Sequence, residues 1–109
     1  MDEFIFAYIT AKDKEQALSI GEKLIEERLA GCVNVFDNMT SIYEWEGEVR
    51  TDGEAVLIAK TASEKFSSLA ARVKELHTYD CPCIASIPVI NGSPQYLQWL
   101  TATIYGSEK

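Results

Sequence analysis

The stretch from Cys32 to Thr61 sets the terms on which the rest of this chain can fold. Two runs, Cys32–Glu46 and Glu48–Thr61, read as strands that reverse at Glu46-Gly47, where glycine supplies the positive φ of a tight hairpin turn. Strands in globular domains are mostly about 5–6 residues long, so arms of this length outreach the cover that two helices provide. The tip therefore projects. It carries Ile42, Tyr43 and Trp45, which are costly to leave in water, and the expectation is that they lie against another subunit. The competing reading is a solvent-exposed hairpin whose aromatics pair across the strands.

Counting back from the turn, Thr40 falls nearly opposite Gly53, which predicts a bend or bulge at that point. Ahead of the hairpin, Phe4–Ile9 is a continuous apolar run and reads as a buried strand. Asp13, with Gln16 three residues on, forms a capping box for a helix over Asp13–Leu29. Its apolar stripe is Ala17, Ile20, Gly21, Leu24, Ile25 and Leu29, and Gly31 is the expected terminator. A second helix starts after Thr61, with Glu64 placed to complete its capping box. It buries Phe66, Leu69, Ala70, Val73 and Leu76 and brings His77 into its last turn, where the helix dipole would favour an imidazolium. Ile84–Ile90 is the fourth strand and Asn91-Gly92 a turn. Ser93-Pro94 then opens a short third helix through Leu97, Leu100 and Ile104.

The order β-α-β-β-α-β plus a terminal helix predicts one α+β domain over residues 1–109, of the ferredoxin-like split βαβ kind. In that arrangement two helices cover one face of a four-stranded antiparallel sheet. Phe4–Ile9, Ala55–Ala59 and Ile84–Ile90 are apolar at odd and even positions alike, whereas a sheet covered on one side should alternate. Their second face must be buried too, and other copies of the chain in a closed symmetric ring are the simplest cover. A monomer with exposed aliphatics is the alternative.

Composition removes several function classes. The net charge is −7 with no lysine or arginine run, which argues against nucleic acid. No segment approaches the roughly 18–20 uninterrupted apolar residues of a membrane span, and Met-Asp-Glu-Phe is acidic where a secretion signal would be basic. Three cysteines, two of them separated only by Pro82, predict reduced thiols rather than a disulfide framework, in keeping with a cytoplasmic protein.

The residues best suited to chemistry are His77, Cys81 and Cys83, with Tyr79 and Asp80 between them. Thiolate and imidazole are ligands of copper and zinc, and Cys-Pro-Cys sulfurs suit Cu(I) in particular. Structural zinc sites usually use four ligands, and a second cysteine pair is missing. The plainer reading is a helix-capping histidine followed by two half-buried thiols. A Cys/His nucleophile oriented by Asp80 is a third option, which nothing in the spacing demands. Cys32 reads as core, and Lys60 places a cation at the end of an apolar strand or snorkels to solvent.

Ala30-Gly31-Cys32-Val33-Asn34-Val35, Ser41-Ile42-Tyr43-Glu44-Trp45-Glu46-Gly47, Lys60-Thr61, His77-Thr78-Tyr79-Asp80-Cys81-Pro82-Cys83-Ile84 and Tyr96-Leu97-Gln98-Trp99 follow one another in an order that resembles the CutA divalent-cation tolerance proteins. The likeness runs along nearly the whole chain. It implies a ferredoxin-like homotrimer whose long hairpins pair between subunits, similar to the PII signalling proteins. It further implies a cytoplasmic role in tolerance to copper and other divalent metals, with no established reaction and no organic cofactor. The family's inter-subunit cleft carries over onto Tyr43, Trp45, Lys60, His77, Tyr79 and Trp99, with Asp80 at the position of a family glutamate. Thr78 and Cys83 stand where the family usually has a proline and a second glutamate. Ile9 and Leu76 replace a cysteine and a histidine that some bacterial members use for copper, leaving His77, with Cys81 and Cys83 expected to substitute as soft ligands. A PII-like module that binds a small molecule or a protein, with indirect metal effects, is the alternative function.

Overall fold

The computed structural model describes residues 3–106. Its elements are β1 (Phe4–Ala11), α1 (Lys14–Glu26), β2 (Cys32–Trp45), β3 (Glu48–Ala62), a 3-10 turn (Ser63–Lys65), α2 (Phe66–Leu76), β4 (Ile84–Pro88) and α3 (Pro94–Tyr105). The strands form one antiparallel sheet in the order β2-β3-β1-β4, the ferredoxin-like arrangement expected from the sequence. The hairpin arms end within a residue of expectation. They stretch the molecule to 53 × 26 × 23 Å, so the tip does project.

One face of the sheet presents Ile5, Ala7, Ile9 and Ala11 of β1 beside Ala55, Leu57 and Ala59 of β3, all buried. Against them pack Ala17, Ile20 and Leu24 of α1 and Leu69 and Val73 of α2. Gly21 lets α1 settle onto the sheet, because a Cβ there would stand 3.1 Å from Val33 Cγ1. The opposite face carries Phe4, Phe6 and Tyr8 beside Ala62, Lys60 and Ile58. Here α3 covers one end only: Leu100 and Ile104 pack with Ala62 and Phe4. Beyond that end, Phe36 remains 55% exposed and Ile87 49% exposed.

Several expected boundaries move, each for a local reason. Helix α1 stops at Glu26 rather than Leu29, and Arg28, not Gly31, ends it. Arg28 adopts φ 58° while its N–H donates to Ile25 O and that of Leu29 donates to Leu24 O, the paired bonds of a Schellman motif. Its side chain donates to Thr103 O, which ties the strained residue to α3. Gly31 serves packing instead, since a Cβ there would lie 2.6 Å from Leu100 Cδ1. At the start of α1, Asp13 Oδ1 accepts from Gln16 N–H as expected, while Gln16 Oε1 accepts from Lys12 N–H.

Thr40 does pair with Gly53, but the bulge lies earlier, where Asp37 and Asn38 occupy the interval between Phe36 and Met39. Asparagine tolerates the left-handed region, and Asn38 takes it with φ 61°. Helix α2 has no side-chain cap, so the capping box assigned to Glu64 does not form: that carboxylate accepts from the Tyr105 hydroxyl instead. His77 lies just past α2 with φ −88° and ψ 153°, not in its last turn. Strand β4 ends at Pro88, two residues short of Ile90, although Val89 N–H still donates to Phe4 O at 3.0 Å; Pro88 is tolerated because it pairs with Ile5 at a position whose N–H would face the open edge. The third helix is a full 12 residues with Pro94 in its first turn, and Ser93 makes no side-chain cap bond.

Candidate functional site

Residues 77–83 connect α2 to β4 by crossing the end of β1. Two bonds to Thr10 pin the crossing: its N–H donates 3.3 Å to Cys83 O, and its carbonyl lies 2.7 Å from His77 Nε2. His77 is 8% exposed, and its Nδ1 accepts from Tyr79 N–H at 3.1 Å. Those two bonds fix the tautomer, with the proton on Nε2 and the lone pair on Nδ1. An imidazolium would leave Tyr79 N–H without its acceptor, and a metal on either nitrogen would displace a buried bond. The assignment of His77 as a ligand beside Cys81 and Cys83 finds no support in this geometry: among the described residues no three His, Cys, Asp or Glu side chains converge on one point.

The Tyr79 ring packs against His77 with centroids 4.5 Å apart and sends its hydroxyl to Glu54 Oε2 at 2.9 Å. Glu54 Oε1 accepts from Ser41 Oγ at 2.6 Å, and the Tyr43 hydroxyl donates to Asp52. Register explains this gathering. Ser41 pairs with Asp52 across the hairpin, so the root of the projecting arms presents Tyr43, Asp52 and Glu54 to the 77–83 crossing. Burial, then the bond to Glu54, pushes the Tyr79 phenol from 10.0 up to about 12, and nearby Asp52 adds to the effect. Burial likewise raises the Cys83 thiol, helped by Glu54 and Cys81, which opposes thiolate formation.

The Tyr79 shift has a measurable consequence. A folded-state pKa above the unfolded one gives stability that is complete below 10.0 and is lost as pH rises through about 12. Replacing Tyr79 with phenylalanine is therefore expected to flatten the decline of urea midpoints across that window.

The other expected cleft residues lie elsewhere in the single chain. Trp45 is at the hairpin tip, 56% exposed. Lys60 Nζ sits 5.4 Å above the Phe6 ring on the sheet face opposite α1. Trp99, on α3, stacks with Tyr96 at 5.9 Å. Asp80 is exposed on the 77–83 crossing. Tyr43 and Tyr79 thus come together within one protomer, joined by Asp52 and Glu54, which the sequence reading passed over. The available signal was the strand register, which sets both acids on the arm facing Ser41 and Met39.

No helix among the described residues is long and apolar enough to cross a membrane. Residues 5–103 match the family described as CutA1 divalent ion tolerance protein. A divalent-cation tolerance protein CutA of Thermus thermophilus is 45% identical over 100 residues, covering 92% of this chain and 95% of that protein. Among solved structures, the periplasmic divalent cation tolerance protein CutA of Archaeoglobus fulgidus superposes with a TM-score of 0.90 at 40% identity, covering 93% of this chain and 98% of that one. CutA1 of Oryza sativa superposes with a TM-score of 0.91 at 37% identity, covering 94% of each chain. Matched along nearly its whole length in sequence and in fold, the chain belongs to the CutA1 divalent ion tolerance family.

Proposed function

We propose that this protein acts in divalent-cation tolerance as a cytoplasmic homotrimer, taking up divalent cations, copper among them, at or near a cleft between subunits. The observation that carries the reading is the sheet face that α3 leaves uncovered, where Phe6, Tyr8 and Ile58 are half-buried and Phe36 and Ile87 are largely open. A second copy laid on that face would bury it, and would bring the separate positions of Trp45, Lys60 and Trp99 within reach of a neighbour's Tyr43–Tyr79 cluster. Three free thiols suit a reducing compartment. A catalytic role has the least support, since burial, Glu54 and Cys81 all hold the Cys83 thiol up and His77 is fully engaged.

The engagement of His77 favours a second reading, a PII-like module whose cleft binds a small molecule or a protein and whose metal effects are indirect. Sedimentation at micromolar concentration separates assembly from its absence: a species three times the 12.2 kDa chain mass is expected, and a well-folded 12.2 kDa species would overturn the trimer. Metal content after exposure to copper and dialysis decides between the two functions. Retained copper supports uptake, and a metal-free trimer supports the module.

A further inference from the structure

We propose that Asn91 is a site of spontaneous covalent modification: the Gly92 nitrogen closes on its side-chain amide, and the turn ahead of α3 gains a carboxylate. Two places in the chain set an aspartate or asparagine before glycine, Asp52-Gly53 and Asn91-Gly92, and the fold treats them oppositely. Glycine matters there because it has no Cβ to crowd the closing ring and leaves the backbone free to bring its nitrogen round. Asp52 and Gly53 are both held in the hairpin ladder, paired with Ser41 and Thr40, and the Tyr43 hydroxyl donates to the Asp52 carboxylate. Ring closure there would break the ladder. Asn91 and Gly92 lie between β4 and α3, are exposed and belong to no regular element. The Gly92 N–H has no backbone acceptor among the described residues, so no backbone bond is given up when it turns towards the carboxamide. The other two asparagines are set against the step. Asn34 pairs with Ile58 in the sheet and precedes the β-branched Val35, while Asn38 is fixed in the bulge, its N–H on Asp37 Oδ1, and precedes Met39.

The step balances with water as its only co-reactant. The Gly92 nitrogen attacks Cγ of Asn91 and forms the new N–Cγ bond of a succinimide; the Cγ–Nδ2 bond breaks, and Nδ2 leaves as ammonia with the proton that the Gly92 nitrogen gave up. Water then opens the ring. Cleavage at Cγ restores the ordinary backbone and leaves an aspartate, whereas cleavage at the main-chain carbonyl leaves an isoaspartate, whose backbone runs through Cβ and is longer by one methylene. Either product carries a carboxylate where the chain had a neutral amide. The new charge stands two residues ahead of Ser93, which makes no side-chain cap bond, and in front of a helix with no acid in its first turn. It therefore arrives at the positive end of the α3 dipole. The isoaspartyl lengthening falls against Leu97, whose Cγ and both Cδ atoms stand 3.2 Å from the Cβ position of Gly92. That product disturbs the start of the helix whose Leu100 and Ile104 pack with Ala62 and Phe4.

The test is storage of the folded protein in mildly alkaline buffer, beside the same chain unfolded in guanidinium chloride, followed by peptide mapping and enzymatic methylation of isoaspartate. Aspartate and isoaspartate are expected at position 91 of the folded protein at a rate within about tenfold of that in the unfolded chain, with positions 34 and 38, and isoaspartate at 52, held back further by the fold. Gly92→Ala should slow conversion at position 91 at least about tenfold, since its Cβ crowds the ring. If that Cβ disturbs the packing of Leu97, Asn91→Gln keeps the glycine and should slow conversion likewise, because its longer side chain would have to close a six-membered ring. An Asn91 that stays intact in the folded protein while the unfolded chain converts would overturn the site. So would equal conversion at all three asparagines, or a rate at position 91 that neither substitution changes.

Discussion

Replacing Leu57 with alanine is expected to cost about 2–5 kcal/mol, most of the margin that holds a domain of this size folded. Leu57 is wholly buried at the middle of β3, opposite Ile9 on β1 and Val35 on β2. Hydrogen-bonded strands flank it on both sides, and α1 closes over it at Gly21, whose Cβ position lies 3.9 Å from Leu57 Cδ1. A void left there has walls that two ladders hold apart, so little of it can collapse, and the cavity term adds to the lost transfer energy. The measurement is the urea midpoint at fixed protein concentration, since any assembly links stability to concentration. Ser19→Ala is the control: Ser19 is exposed on α1, away from the hairpin tip and from the open sheet face, and its replacement should stay within about 0.5 kcal/mol. Equal shifts for the two variants would mean that the core does not centre on β3.

The contrast between Leu57 and Ser19 also shows which parts of the molecule could be read in the sequence. Pattern and count were enough wherever one residue type had one tenable place. The apolar return arm, the reversal at Glu46-Gly47 and the pairing of Thr40 with Gly53 all follow from period-two geometry measured from the turn. Arg28 and Asn38 were illegible for the opposite reason. A left-handed arginine is disfavoured by about 1–2 kcal/mol in isolation, and only the Schellman bonds and the Thr103 carbonyl make that conformation tenable.

The site divides in the same way. Tyr43 and Tyr79 stood out as large side chains in polar surroundings, but Asp52 and Glu54 are two of 17 acidic residues, and nothing marks them until strand register carries them to the 77–83 crossing. His77 was visible as the chain's one imidazole, yet its chemistry is decided by a carbonyl at Thr10, on a strand distant in sequence. Sequence gives the inventory of reactive groups, and tertiary hydrogen bonding decides which remain free to react.

A charge placed at Ile87 should dissociate the proposed trimer while leaving the chain folded. Ile87 pairs with Phe6 on the face opposite α1 and is 49% exposed in the single protomer. If that face were open to water, Ile87→Asp would change stability by no more than about 0.5 kcal/mol and leave the sedimentation mass as it was. Buried between copies, the same carboxylate loses its water among apolar neighbours, a cost that the Lys60 ammonium over the nearby Phe6 ring offsets only in part, and cyclic symmetry repeats the penalty at each equivalent contact. The expected result is a shift from a species of three chain masses to one of 12.2 kDa at micromolar concentration, with the far-ultraviolet circular dichroism preserved. Phe36→Asp, on the far strand of the same face, should act likewise, because Phe36 pairs with Val56 and is 55% exposed. A trimer that survives both substitutions would have to be held by the hairpin tips alone, through Ile42, Trp45 and Val49, and the sheet face would need another explanation for its apolar surface.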